Sequence, residues 1–219
     1  MTTISTAASV ATGFVAMLSG GLLGPNIVKL ARCNLLTRQP LSFRTVAAAA
    51  CAPGLVAVIV VGHDGADGII LIPLVLIGGA ATVVDVHERR LPDALTIPLV
   101  WLTAVVVTVA AILGHDGAAA LRSLLTAAGI TSVALVVKLV QTAAVGWGDI
   151  KLLPTVGAVL GWWDATALGV ILWALLIGAA ALLRNRRPAD GYNGSAGGPV
   201  VPYGPALLAG TLVAVALAG

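Results

Sequence analysis

Residues 69–93 read IILIPLVLIGGAATVVDVHERRLPD. Residues 69–84 carry no charged side chain, and the run then meets a carboxylate, Asp85. His87, Glu88, Arg89 and Arg90 follow closely, and then Leu91, Pro92 and Asp93. A helix that crosses a bilayer needs roughly 20 mostly apolar residues. The stretch therefore predicts a span over about 69–86 that delivers Asp85 to one membrane face. Ionisable groups at membrane depth are costly and usually face a partner or a watered cavity.

The rest of the chain has the same character. Of its 219 residues, 59% are hydrophobic and only 10% charged, with a mean hydropathy of +1.05. A soluble domain carries about 25% charged residues to cover its surface. The composition thus excludes a soluble protein, and a net charge of +3 is too small to imply a nucleic-acid partner. Cys33 and Cys51 form no CxxC or Cys/His cluster, so no zinc site or disulfide framework is expected. Nothing calls for a metal or another cofactor. The first apolar stretch, from about Ile4, lacks a basic leading region and reads as a first span rather than a cleavable signal.

Reading for apolar runs gives eight candidate spans, at about 6–28, 44–62, 69–86, 94–113, 119–141, 150–161, 165–183 and 204–218. The sixth is short, contains Pro154 and Gly157, and reads as a half-helix or a tilted span. The expected fold is an all-α membrane protein, a polytopic bundle of about seven or eight transmembrane helices. Residues 63–68 and 114–117 share an H-D-G signature and read as short polar turns; residues 184–203 read as a flexible loop. With eight spans and the N-terminus outside, only Arg122 of the twelve basic residues falls on the outer side. That asymmetry sets the orientation and places the ends of the Asp85 and Asp149 helices inside.

Nine acidic residues are few enough to weigh singly. Asp64, Asp67, Asp116, Asp164 and Asp190 read as solvated turn or capping residues, Asp164 capping the helix that follows it. Asp85, Glu88, Asp93 and Asp149 remain. Asp85 ends one apolar helix and Asp149 opens another, so both come to the same face at similar depth. Two carboxylates brought together cannot both ionise easily, so one keeps its proton near neutral pH. Such a pair supplies a general base and a general acid at once. Asp149 at a helix N-terminus is expected to start as the anion, and Asp85 near a C-terminus as the acid. Read singly, Asp149 or Asp93 could be a plain N-cap, and Asp85 could pair with Arg89 one turn on.

Three stretches carry a family likeness. Asp85 to Asp93, followed by Ala94, Leu95 and Thr96, resembles the D-x5-(I/L)-P-D element of type IV prepilin peptidases. Gly146-Trp147-Gly148-Asp149-Ile150-Lys151-Leu152-Leu153 resembles their GxGDxK element, which continues into Gly157 to Trp162. Val201-Pro202-Tyr203-Gly204-Pro205 is similar to the P-(F/Y)-G-P element before the last span. The resemblance implies that Asp85 and Asp149 are catalytic. It also implies that the substrate is a prepilin or pseudopilin, cleaved at the cytoplasmic face of the membrane between a short leader and an apolar helix. Gly146 and Gly148 are expected to allow a tight turn and the close approach of a substrate strand. Leu91, Pro92 and Asp93 are expected as motif support, Pro92 setting up the next helix. Lys151 is expected to stand as a cation near Asp149, or to snorkel to lipid headgroups.

The peptidase domain then occupies residues 69–219, and residues 1–68 hold the N-terminal transmembrane helices. The loop at about 29–43 is short and has only Cys33, where bifunctional members of the family carry paired CxxC motifs and an N-methyltransferase activity. Peptidase activity without methylation is the expectation. Arg89 and Arg90 could attract an acidic residue of the substrate, or simply anchor the inner face. Two rivals remain at this point: a presenilin-like protease, for which Val84 stands where tyrosine is needed, and a transporter using membrane carboxylates.

Overall fold

The computed structural model describes residues 25–36, 67–88, 90–141, 146–185 and 204–218. Among them the chain forms seven helices and no strand. We label these α1 (25–34), α2 (Gly68–Glu88), α3 (Asp93–Gly114), α4 (Gly117–Val140), α5 (Trp147–Trp162), α6 (Thr166–Asn185) and α7 (Gly204–Ala218). Helices α2, α3 and α4 are long and apolar enough to cross a membrane. The expected spans at about 6–28 and 44–62 lie largely or wholly outside the described residues, as does most of the first H-D-G turn. Helix α1 runs past the expected end at residue 28, so Lys29 and Arg32 ride on an exposed helical face rather than in a loop. The physical reason is an uninterrupted run after Pro25 whose Ile27 and Ala31, one turn apart, are both buried.

Three helices, α2, α3 and α5, contain irregular or proline-bearing turns, that of α3 at Pro98. Leu74–Gly78 of α2 form a π-turn directly after Pro73, which has no N–H to give to the turn before it. Helix α5 continues through Pro154 as one 16-residue element, about 24 Å long at 1.5 Å per residue. It is thus a short unbroken helix that begins earlier than expected, because Gly146 takes the cap position.

Helices α4 and α5 share the most extensive interface. They meet where α5 has glycine at two positions one turn apart. A Cβ on Gly157 would stand 2.8 Å from the Ala127 Cα, and one on Gly161 would stand 2.7 Å from the Arg122 carbonyl oxygen. Helix α7 touches α2, α5 and α6. It is fixed to α6 by Trp173, whose indole N–H donates to the Leu207 carbonyl at 3.0 Å and the Thr211 hydroxyl at 3.2 Å. Ile27 and Ala31 of α1 belong to the same core as α2, α5 and α7. On the outside, α3 exposes Trp101, Val105, Val109 and Ile112, and α4 exposes Leu121, Leu124, Leu125, Val133 and Val136. Such a belt would be a liability in water and is the matching surface for lipid.

The connections at one end are short and closed by backbone. His115, with φ 53°, ends α3; Asp116 then starts α4 by accepting the Ala119 N–H on its carboxylate at 2.8 Å. Asp164 also has φ 53°, and its N–H donates to the Gly161 carbonyl while the Ala165 N–H donates to Leu160. This is a Schellman closure of the preceding helix. Asp164 therefore terminates α5 through its backbone, and the expectation that it caps α6 is corrected.

The glycines of α4 and α5 make opposite predictions. Gly157→Val and Gly161→Val drive a branched side chain into the α4 backbone, and overpacking of that kind costs about 1–3 kcal/mol. A Cβ on Gly129, by contrast, would meet nothing within 4 Å. Gly129→Ala is expected to raise stability by about 0.5–1 kcal/mol, the usual gain over glycine inside a helix. Thermal midpoints in detergent, compared across the three variants, check both signs.

Candidate active site

Asp85 and Asp149 reach the site from two helices. Asp85 lies in the last turns of α2 and is only 6% exposed. Its carboxylate accepts the backbone N–H of Gly204, the first residue of α7, at 3.1 Å. Asp149 is the third residue of α5 and accepts the backbone N–H of Gly146, the cap residue of the same helix. A third-position acid reaching back to the cap N–H is one half of a capping box. Gly146 supplies only backbone, in an extended conformation with φ −71° and ψ 147°. The two carboxylates lie close enough that the charge of Asp85 acts on Asp149. The structure thus brings together the two aspartates that the sequence paired.

The expected division of labour between them loses its basis. It assumed that only Asp149 faces a helix N-terminus. Asp85 ends its own helix, yet its carboxylate meets the N-terminus of α7. Both carboxylates therefore receive a backbone donor at the positive end of a helix.

Around the pair, the two aspartate motifs lock into each other. A Cβ on Gly148 would stand 2.7 Å from the Cβ of Leu91. A close approach at Gly148 is made by the chain's own Leu91. At Gly146 the crowding atom is the carboxylate oxygen of Asp149, 2.8 Å from a would-be Cβ. Lys151 forms an ion pair with Asp93 rather than with Asp149. Asp93 is the first residue of α3 and makes no cap hydrogen bond; Pro92 is the cap residue, and its carbonyl accepts the Leu95 and Thr96 N–H groups at 3.0 and 3.1 Å.

A second set of contacts ties α1 to the segment after Asp85. The Glu88 carboxylate accepts the Leu36 N–H and the Arg90 Nε–H, each at 2.6 Å. The Arg90 guanidinium also donates to the Asn34 carbonyl at 2.7 Å. Arg90 is therefore engaged within the chain; Arg89 lies outside the described residues. Sequence reasoning left Glu88 without a role and gave Gly204 none beyond its motif. For Gly204 the signal was present, in the P-Y-G-P likeness.

The Leu91–Gly148 contact is testable without any substrate. Gly148→Ala places a methyl group against the Leu91 Cβ and lowers the thermal midpoint. Combining it with Leu91→Ala recovers part of the loss, because shortening Leu91 gives that segment room to yield. A double-mutant cycle is expected to return a coupling on the order of 1 kcal/mol. Additive losses would remove the contact.

In comparison with known families, residues 69–183 match the type IV leader peptidase family. Neither curated proteins nor solved structures gave a match. The matched segment runs from the start of α2 almost to the end of α6, and so includes both aspartates, the L-P-D segment and the GxGDxK element. It covers more than half of the chain. The family decides against the transporter and presenilin-like readings and makes this membrane protein a peptidase: the chain belongs to the type IV leader peptidase family.

Proposed function

We propose that the protein is an aspartic endopeptidase that removes the leader of prepilin-like proteins at the cytoplasmic face of the cell membrane, with Asp85 and Asp149 as its catalytic pair. The observation that carries this reading is that two carboxylates, from α2 and α5, lie within electrostatic reach of each other, each held by a backbone N–H. An ionised carboxylate takes a proton from water, and the water oxygen attacks the scissile carbonyl. The protonated partner gives its proton to the departing nitrogen as the carbon–nitrogen bond breaks. The pair works as a unit holding one proton, so neither aspartate alone is assigned as base.

The inner face is supported by the placement of the cations. Arg90, Lys138 and Lys151 stand at the end of the bundle that holds the aspartates: Arg90 beside Glu88, Lys138 over the Trp147 ring at 5.8 Å, and Lys151 on Asp93. Arg122 stands at the other end, donating to the Trp162 carbonyl. Cations concentrate on the cytoplasmic side of membrane proteins. The substrate in this reading lies with its apolar helix in the bilayer and its hydrophilic leader inside. The short segment after α1, without a CxxC pair, supports a peptidase that does not methylate its product.

Co-expression with candidate prepilins tests the proposal directly. Asp85→Asn and Asp149→Asn are each expected to slow leader removal by roughly 10²–10⁴-fold, the usual contribution of acid–base catalysis, while the protein still inserts. Processing by either variant at the wild-type rate would exclude that residue from the pair. The rate is expected to fall on both sides of an optimum, since doubly ionised and doubly protonated pairs are both inactive. Mass spectrometry of the product N-terminus reads out methylation in the same experiment.

A further inference from the structure

The geometry points to Gly204 as a positioning residue for Asp85, which makes the last helix part of the peptidase site. The inference deepens the proposed function and rests on it. Gly204 lies beyond the residues matched by the family. Its backbone N–H donates to Asp85 Oδ2 at 3.1 Å, across a sequence separation of 119 residues. Pro205 follows it and has no N–H, so of the first two residues of α7 only Gly204 can donate.

The contact also requires the absence of a side chain. A Cβ on Gly204 would stand 2.8 Å from Asp85 Oδ2 and 3.5 Å from both its Cβ and its carboxyl carbon. Gly204 is buried, so an added methyl group has nowhere else to turn. Helix α7 is not free to retreat. Trp173 of α6 fills the notch at Gly210, where a Cβ would stand 2.6 Å from the indole, and its N–H is bonded to Leu207 and Thr211. The last helix is thereby held at its middle by α6 and meets Asp85 at its first residue. A carboxylate set by a backbone group on a helix keeps its rotamer, and precise placement of a reacting group is worth about 100-fold per ångström.

Two variants of the full chain in proteoliposomes, each with a control at Ala209, test this. In a Cys33→Ser/Cys51→Ser background, Asp85→Cys with Gly204→Cys is expected to form a disulfide on mild oxidation, because the Cβ separation of 3.5 Å falls within reach of one. Asp85→Cys with Ala209→Cys, on the exposed side of α7, is expected not to. Separately, Gly204→Ala is expected to lower kcat for prepilin cleavage by about 100-fold with KM unchanged. Its pH–rate profile is displaced, because the disturbed hydrogen bond acts on one protonation state of the pair. Ala209→Ser retains wild-type kinetics. Absence of the disulfide overturns the placement of Gly204. A disulfide together with wild-type kcat and pH profile in Gly204→Ala overturns its role. If the wild type cleaves no prepilin, the proposed function falls and this role with it, an outcome distinct from a defect confined to Gly204→Ala.

Discussion

Helices surrounded by lipid gain little from hiding apolar surface from one another, because hydrocarbon tails are as apolar as leucine. What remains to hold them together is close packing, and close packing depends on how near two backbones can come. In this protein that nearness is granted by glycine. Gly157 and Gly161 let α5 lie against the backbone of α4, and Gly210 opens the notch for Trp173 between α6 and α7. The same constraint reaches the candidate site. Gly204 brings the start of α7 onto Asp85, and Gly148 receives Leu91. Positions that hold the bundle and positions that shape the site therefore obey one rule.

The second demand is electrical. A carboxylate placed between apolar helices must find donors, and side-chain cations are not what the described residues supply. The donors to Asp85 and Asp149 are the backbone N–H groups of Gly204 and Gly146, each at a helix start. Backbone donors carry no charge of their own, so the pair can hold either one proton or two without stranding a cation. The charged residues nearby are spent on construction. Lys151 and Asp93 join α5 to α3, while Glu88 and Arg90 join the end of α2 to α1. The two sequence elements of the family are thus two halves of one contact. Leu91 and Asp93 from the first meet Gly148 and Lys151 from the second.

Much of this was legible in the sequence. Uninterrupted apolar runs gave the helices from α2 onward to within a few residues, because run length is what a bilayer selects. The pairing of Asp85 with Asp149 was legible because one closes an apolar run and the other opens one at the same face. The contacts of Lys151 and Gly148 were not. Helices that are apolar on almost every side give no stripe from which to read which neighbour a side chain meets. Asp164 was misread for another reason. Its residue type is at home both at a helix start and in the left-handed conformation at a helix end, and only the backbone hydrogen bonds to Gly161 and Leu160 decide between them.

The short closures at the end away from the aspartates have a mechanical consequence. There, His115 and Asp116 alone join α3 to α4, and residues 163–165 alone join α5 to α6. At the aspartate end the chain spends residues 89–92, 141–146 and 186–203 on its connections. One end of the bundle is thus closed by two tight turns, and the other carries the longer connections. Asp149 sits about 21 Å along α5 from Trp163, at 1.5 Å per residue. A tilt of about 2° at that turn would carry the carboxylate by about 0.7 Å. The contacts placed to oppose such a tilt lie at the aspartate end itself, where Leu91 meets Gly148 and Asp93 meets Lys151. The segment after Asp85 thereby acts as a brace for Asp149.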